Sequence, residues 1–127
     1  MKPLPRITPD SKPFWDALRD RRLMLPHCTQ CGKPHLPPGP VCPFCFAEHL
    51  EWRQASGRGR ISTFTVVHKA WFPDFEAEIP YNVVQVELEE GPRLTTSIVR
   101  VANDELKVGM PVIIDFQDPT LPRFRPA

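Results

Sequence analysis

Four cysteines, all between positions 28 and 45, constrain this chain more than any other feature. They fall as Cys28-Thr29-Gln30-Cys31-Gly32, ten further residues counted after Cys31, then Cys42-Pro43-Phe44-Cys45. Two Cys-x-x-Cys pairs at short separation form a metal-site pattern. Two residues between cysteines let both thiolates of a turn point at one ion, and two such turns supply a tetrahedral four-sulfur shell. The gap is shorter than in the commonest ribbon template, so a compact ribbon is expected. A pair of disulfides is the competing reading. It is disfavoured because the opening Met1-Lys2-Pro3-Leu4-Pro5-Arg6 carries no apolar leader, so a soluble cytoplasmic protein is expected, where thiols stay reduced. A redox role would need only one such motif. Iron in a rubredoxin-type site is the alternative metal, and one zinc per chain is the expectation. Four thiolates fill the coordination sphere, and catalytic zinc needs an open position, so this zinc is expected to be structural. His27 and His35 are expected to stand beside the ligands or at the surface.

Seventeen prolines among 127 residues exclude a mostly helical bundle, because proline breaks helix interiors. The balance of 16 basic and 15 acidic residues is not the footprint of a strong nucleic-acid binder. It is uneven, however. Residues 1–60 hold ten basic and five acidic side chains, a net of +5, whereas residues 61–127 hold six and ten, a net of −4. No apolar run approaches the ~20 residues of a membrane span.

Three pieces are expected along the chain. Residues 1–22 read as a proline-rich arm and a short helix, capped by Asp10 or Ser11, with Pro13 in its first turn and Arg21 and Arg22 closing it. Phe14, Trp15 and Leu18 share one helix face, which must dock either on the chain's own ribbon or on a partner. Residues 23–54 read as the ribbon, with short strands at Arg22–Leu25, Leu36–Pro38 and Leu50–Trp52. A unit this small depends on its metal for stability.

Residues 55–127 read as strands: Gly59–Val67, Asn82–Glu89, Arg93–Val101, Pro111–Gln117 and a short Leu121–Arg125. In the second, Val84, Val86 and Leu88 point inward and Gln85, Glu87 and Glu89 outward. Five antiparallel strands in so few residues fit an OB-fold barrel, with Gly57 and Gly59 easing the bend of its first strand. This barrel is expected to hold a core separate from the ribbon's. Between the first two strands lies a long connection, His68 to Pro80, carrying Trp71, Phe72 and Phe75. Either these aromatics fold back to cap the barrel, or they form a binding surface.

The residues now in view carry a resemblance. The short helix, Cys28-x-x-Cys31-Gly32, Cys42-Pro43-Phe44-Cys45 and Glu51-Trp52 are followed by Ser56-Gly57-Arg58-Gly59-x-Ile61 and Phe64-Thr65-Val66-Val67-His68. Pro80-Tyr81, Glu90-Gly91-Pro92-Arg93-Leu94 and Lys107-Val108-Gly109-Met110-Pro111-Val112 come after. The chain resembles the rubredoxin-like zinc-ribbon plus OB-fold family of acyl-CoA-associated proteins, over roughly residues 14–124. The resemblance implies a mainly β chain with Cys28, Cys31, Cys42 and Cys45 as zinc ligands. It also implies a non-catalytic accessory subunit of a thiolase-like enzyme, such as a lipid-transfer-protein-type thiolase or aldolase of fatty acid or steroid breakdown. Acyl-CoA is then expected at a shared interface. Trp71, Phe72 and Phe75 would supply its apolar contacts, and Lys69, with His68, Arg58 and Arg60 nearby, its phosphate contacts. Phe14, Trp15 and Leu18 are the candidates for docking the partner. A nucleic-acid-binding ribbon and barrel is the alternative, and the −4 barrel half speaks against it. A free-standing enzyme is disfavoured because His68 has no evident nucleophile beside it.

Overall fold

The structure, a computed structural model, describes residues 4–127, so the first three residues of the expected arm lie outside it. A short helix, α1 (Lys12–Arg19), precedes seven strands. Ser11 occupies the cap position, but its hydroxyl accepts the Thr8 amide at 3.0 Å and caps nothing within the helix. The helix ends at Arg19, short of Arg21 and Arg22. Arg21 adopts φ 59°, its amide reaching the Leu18 carbonyl at 3.1 Å and the Arg22 amide the Ala17 carbonyl at 2.9 Å. That is a Schellman ending with arginine where glycine is usual.

The ribbon is a two-stranded antiparallel sheet, β1 (Met24–Cys28) against β2 (Leu50–Gln54). The expected strand at Leu36–Pro38 does not form. Pro34, Pro37 and Pro38 offer no amide donors. The only pairing in this stretch is an isolated bridge from Pro34 to His27.

The other five strands are β3 (Arg58–Val67), β4 (Tyr81–Leu88), β5 (Arg93–Thr96), β6 (Pro111–Asp115) and β7 (Arg123–Pro126). They form one sheet in the order β5-β4-β3-β6-β7, each neighbour antiparallel. Just past β5, Ile98 bridges in parallel to Phe124 of β7. The Val99 amide reaches the Phe124 carbonyl at 2.7 Å, and this contact closes the sheet into the five-stranded OB-type barrel that was expected. β3 breaks register between Ile61 and Thr63. At Gly59 a Cβ would lie 2.5 Å from the Glu87 carbonyl oxygen, so only glycine lets β3 and β4 approach this closely.

Two expectations need correction. The third barrel strand was expected to run to Val101, but it stops at Thr96. There the side chain of buried Asn82 replaces the next rung of the ladder. Its Oδ1 accepts the Ile98 amide at 2.7 Å and the Ser97 hydroxyl at 3.0 Å, and its Nδ2 donates to the Ile98 carbonyl at 3.0 Å. The barrel also holds no core of its own. Phe14 and Leu18 of α1 and Leu23 and Leu25 of the ribbon belong to one buried cluster with Ile61, Val84, Val86, Val112 and Phe124. Among the described residues no helix is long and apolar enough to cross a membrane.

Candidate metal centre and aromatic loop

Cys28 closes β1, and the turn after it brings Cys31 back. The Gly32 amide donates to the Cys28 carbonyl at 2.9 Å, and Gly32 itself takes φ 78°. The second turn repeats the device. The Phe46 amide donates to the Cys42 carbonyl at 2.9 Å, with Phe46 at φ 64°. The four sulfurs therefore meet, all within 4.8 Å of one another. Cys28 and Cys45 Sγ are 3.5 Å apart and Cys31 and Cys42 Sγ 3.6 Å. A tetrahedral zinc with ~2.3 Å bonds to sulfur requires edges near ~3.8 Å, so the donor set fits such an ion. None of the four is in a disulfide.

Backbone amides support the sulfurs as thiolates. Gln30 and Cys31 amides point at Cys28 Sγ at 3.3 and 3.4 Å, and the Phe44 amide at Cys42 Sγ at 3.4 Å. The Cys31 amide, first among several causes, pulls the Cys28 thiol down to about 6. Cys45 goes the other way. The Ala47 amide favours its thiolate, but crowding by Cys28, Cys42 and Cys31 together with burial pushes it up to about 12. Four thiolates packed this closely need a cation to be ionised together.

The two histidines behave differently. His27 Nδ1 lies 3.1 Å from the Leu25 carbonyl, to which it donates. His35 is 4% exposed, its ring nitrogens have no partner among the described residues, and desolvation holds its pKa below the usual value.

In the long loop, residues Pro73–Glu78 form a 3-10 turn with no buried residue. Trp71 is 66% and Phe72 58% exposed, so they do not cap the barrel. Phe75 is half-buried, with its ring 5.9 Å from Tyr81 and 6.1 Å from Phe72. Lys69 Nζ stands 4.2 Å from the Trp71 ring centre, a cation–π contact. His68 is exposed at the start of this loop.

The structure separates residues that were expected together. Arg58 and Arg60 begin β3, whereas Lys69 follows its end. At about 3.3 Å per residue the strand carries them roughly 23–30 Å from the loop, so they cannot share a phosphate with Lys69. Instead they flank Glu87 and Glu89. The helix face is corrected as well. Phe14 and Leu18 are buried in the chain's own core, which removes them from any partner, while Trp15 is only partly buried. What sequence reading missed is a groove beside Trp15 lined by Arg6, Arg93 and Arg123. These three arginines are too far apart in sequence to show a pattern.

Comparison with known proteins places this geometry. Residues 15–51 match the model of the ChsH2 rubredoxin-like zinc ribbon domain, and residues 52–117 that of the ChsH2 C-terminal OB-fold domain. The whole chain is 40% identical to a probable enoyl-CoA hydratase alpha subunit of Thermomonospora curvata, of whose length it spans 40%. It is 35% identical, over 77% of its length and 70% of the relative's, to a DUF35 domain-containing scaffold protein of Methanocaldococcus jannaschii. Among solved structures, a chain of the Ltp2-ChsH2(DUF35) aldolase superposes with a TM-score of 0.84 at 40% identity, covering 96% of this chain and 98% of that one. With both domain models matched in order across the described ribbon and barrel, the chain belongs to the ChsH2-like DUF35 family of zinc-ribbon and OB-fold proteins.

Proposed function

We propose that the chain is a non-catalytic accessory subunit of a cytoplasmic thiolase-like or aldolase enzyme, helping its partner hold acyl-CoA. The observation that carries this reading is the near-complete superposition on a chain of the Ltp2-ChsH2(DUF35) aldolase. The chain's own chemistry agrees. Its four-thiolate cage would hold one structural zinc, through Cys28, Cys31, Cys42 and Cys45, with no position open for substrate. The zinc would fix the ribbon turns and take no part in bond making.

The exposed pair Trp71 and Phe72 supplies the contact surface. Large aromatics left in water on a loop are costly unless a partner covers them, and aromatics dominate interface hot spots. Trp15, half-buried in the middle of α1, remains a second candidate for that contact. The test is affinity capture of the full chain from its native host. A thiolase-fold enzyme is expected to co-purify, and Trp71→Ala or Phe72→Ala to weaken the complex by about 2 kcal/mol, roughly thirtyfold. Both variants should keep the parent melting temperature to within a few degrees, since neither ring is in the core. Capture of no such enzyme would refute the subunit reading. Unaltered capture by both variants would refute the loop's part in it.

A further inference from the structure

Separating Arg58 and Arg60 from the aromatic loop leaves the phosphates of a CoA thioester without their expected cations. A different set of cations shares one groove. Arg6 of the arm, Arg93 of β5 and Arg123 of β7 line a cleft of about 500 Å3 between the arm with α1 and the β5 side of the barrel. Its apolar wall includes Trp15, Leu94 and Leu121, and among the described residues no carboxylate lines it. Arg6 and Arg93 are exposed and make no ion pair among the described residues. Arg123 faces Asp118 at 4.0 Å, the long limit of an ion pair. Three guanidinium groups around an apolar cleft, of which only Arg123 faces an acid among the described residues, form a site for an anion that carries a hydrophobic body.

The cleft's place in the fold points the same way. It lies along β5, the third barrel strand, and the loop before the last strand, part of the surface with which OB-folds bind oligonucleotides and oligosaccharides. It also continues. A second cleft of about 370 Å3 shares Thr95, Thr96, Leu121 and Arg123 with the first and reaches Phe75 and Tyr81 of the aromatic segment. That far cleft contains one carboxylate, Glu78, so the phosphates belong at the arginine end.

We propose that this continuous groove binds the nucleotide end of a CoA thioester, its phosphates against Arg6, Arg93 and Arg123 and its base beside Trp15. The uncharged pantetheine arm then runs past Leu121 toward Phe75 and the loop that meets the partner. The choice of CoA rests on the accessory-subunit reading. The groove itself is built by this chain alone, so the free chain should bind.

The test is calorimetric titration of the full chain with free CoA. One CoA per chain is expected, with Arg6→Glu and Arg93→Glu each weakening affinity at least about tenfold. Lys107→Glu, exposed and outside both clefts, should leave it unchanged. No CoA binding, or arginine variants that bind as tightly as the parent, would overturn the proposal. So would a single-stranded oligonucleotide that binds as tightly as CoA. Partner capture by the same variants separates the two readings. Arginine-dependent CoA binding by a chain that captures no thiolase-like enzyme would uphold the groove and refute the subunit role.

Discussion

Replacing Cys42 by serine should unfold the barrel as well as the ribbon. Cys42 is buried and its sulfur closes one edge of the four-sulfur cage, so serine leaves three thiolates and a site that no longer holds zinc tightly. Structural zinc contributes about 10–16 kcal/mol in small ribbon peptides, far more than a two-stranded sheet can replace. The loss then spreads through the shared core. Phe14, Leu18, Leu23 and Leu25 are buried from the helix and ribbon side against the barrel's own apolar residues. At about 1.5–3 kcal/mol for each large side chain, returning these four to water costs about 6–12 kcal/mol. The total stability of a domain is about 5–15 kcal/mol, so little or nothing remains to hold the sheet. Amide hydrogen exchange reads this directly. Val84 and Val86 lie in the middle of β4, buried and paired on both sides, and should be among the slowest amides of the parent. In Cys42→Ser they should lose protection together with β1 and β2. Protection of Val84 and Val86 kept within about tenfold of the parent, while β1 and β2 exchange freely, would refute the shared-core argument.

Two further predictions concern the barrel closure. Asn82→Ala would leave the Ile98 amide and carbonyl buried without their partner, at about 2–5 kcal/mol, visible as a lowered urea midpoint. An unfolding free energy from those melts within about 0.5 kcal/mol of the parent, the range typical of surface changes, would show that the side chain does not close the ladder. Asp115 is a second tie. Arg100 Nε donates to it at 2.8 Å, the Gln117 amide at 2.9 Å, and Arg125 lies at 3.7 Å. The Arg100 bond, first among the causes, holds its carboxyl below the usual range. The unfolded chain therefore takes up its proton first as pH falls. The stability this group contributes is complete above about pH 4 and is lost as pH drops through the lower folded value. Asp115→Asn should cost about 1–3 kcal/mol at pH 7 and flatten that acid limb in a pH series of urea melts.

The parts that were legible in the sequence are the local ones. Cysteine spacing alone brings four sulfurs to one point, because each pair is a single turn and two strands suffice to join the turns. The alternation of Val84, Val86 and Leu88 announces a strand buried on one face, and the structure buries those three residues. Helix α1 was legible as an apolar stripe, but nothing local says what covers it, and Phe14 and Leu18 proved to be core. The end of β5 was hidden because Asn82, fourteen residues before Thr96, supplies the hydrogen bonds that a continuing strand would have made. Arg58 and Arg60 were grouped with Lys69 because a strand's two ends look close in sequence, although the arginines open the ten-residue strand β3 and the lysine follows its far end. The arginine groove needed the barrel to close, since positions 6, 93 and 123 meet only in three dimensions.

Native mass spectrometry of the complex captured from the host reports both metal and partner in one spectrum. The expected species is a hetero-oligomer in which each copy of this chain carries one zinc and is joined to a thiolase-fold subunit. A chain that appears alone, or one that binds the partner with no metal in its four-cysteine cage, would contradict this expectation.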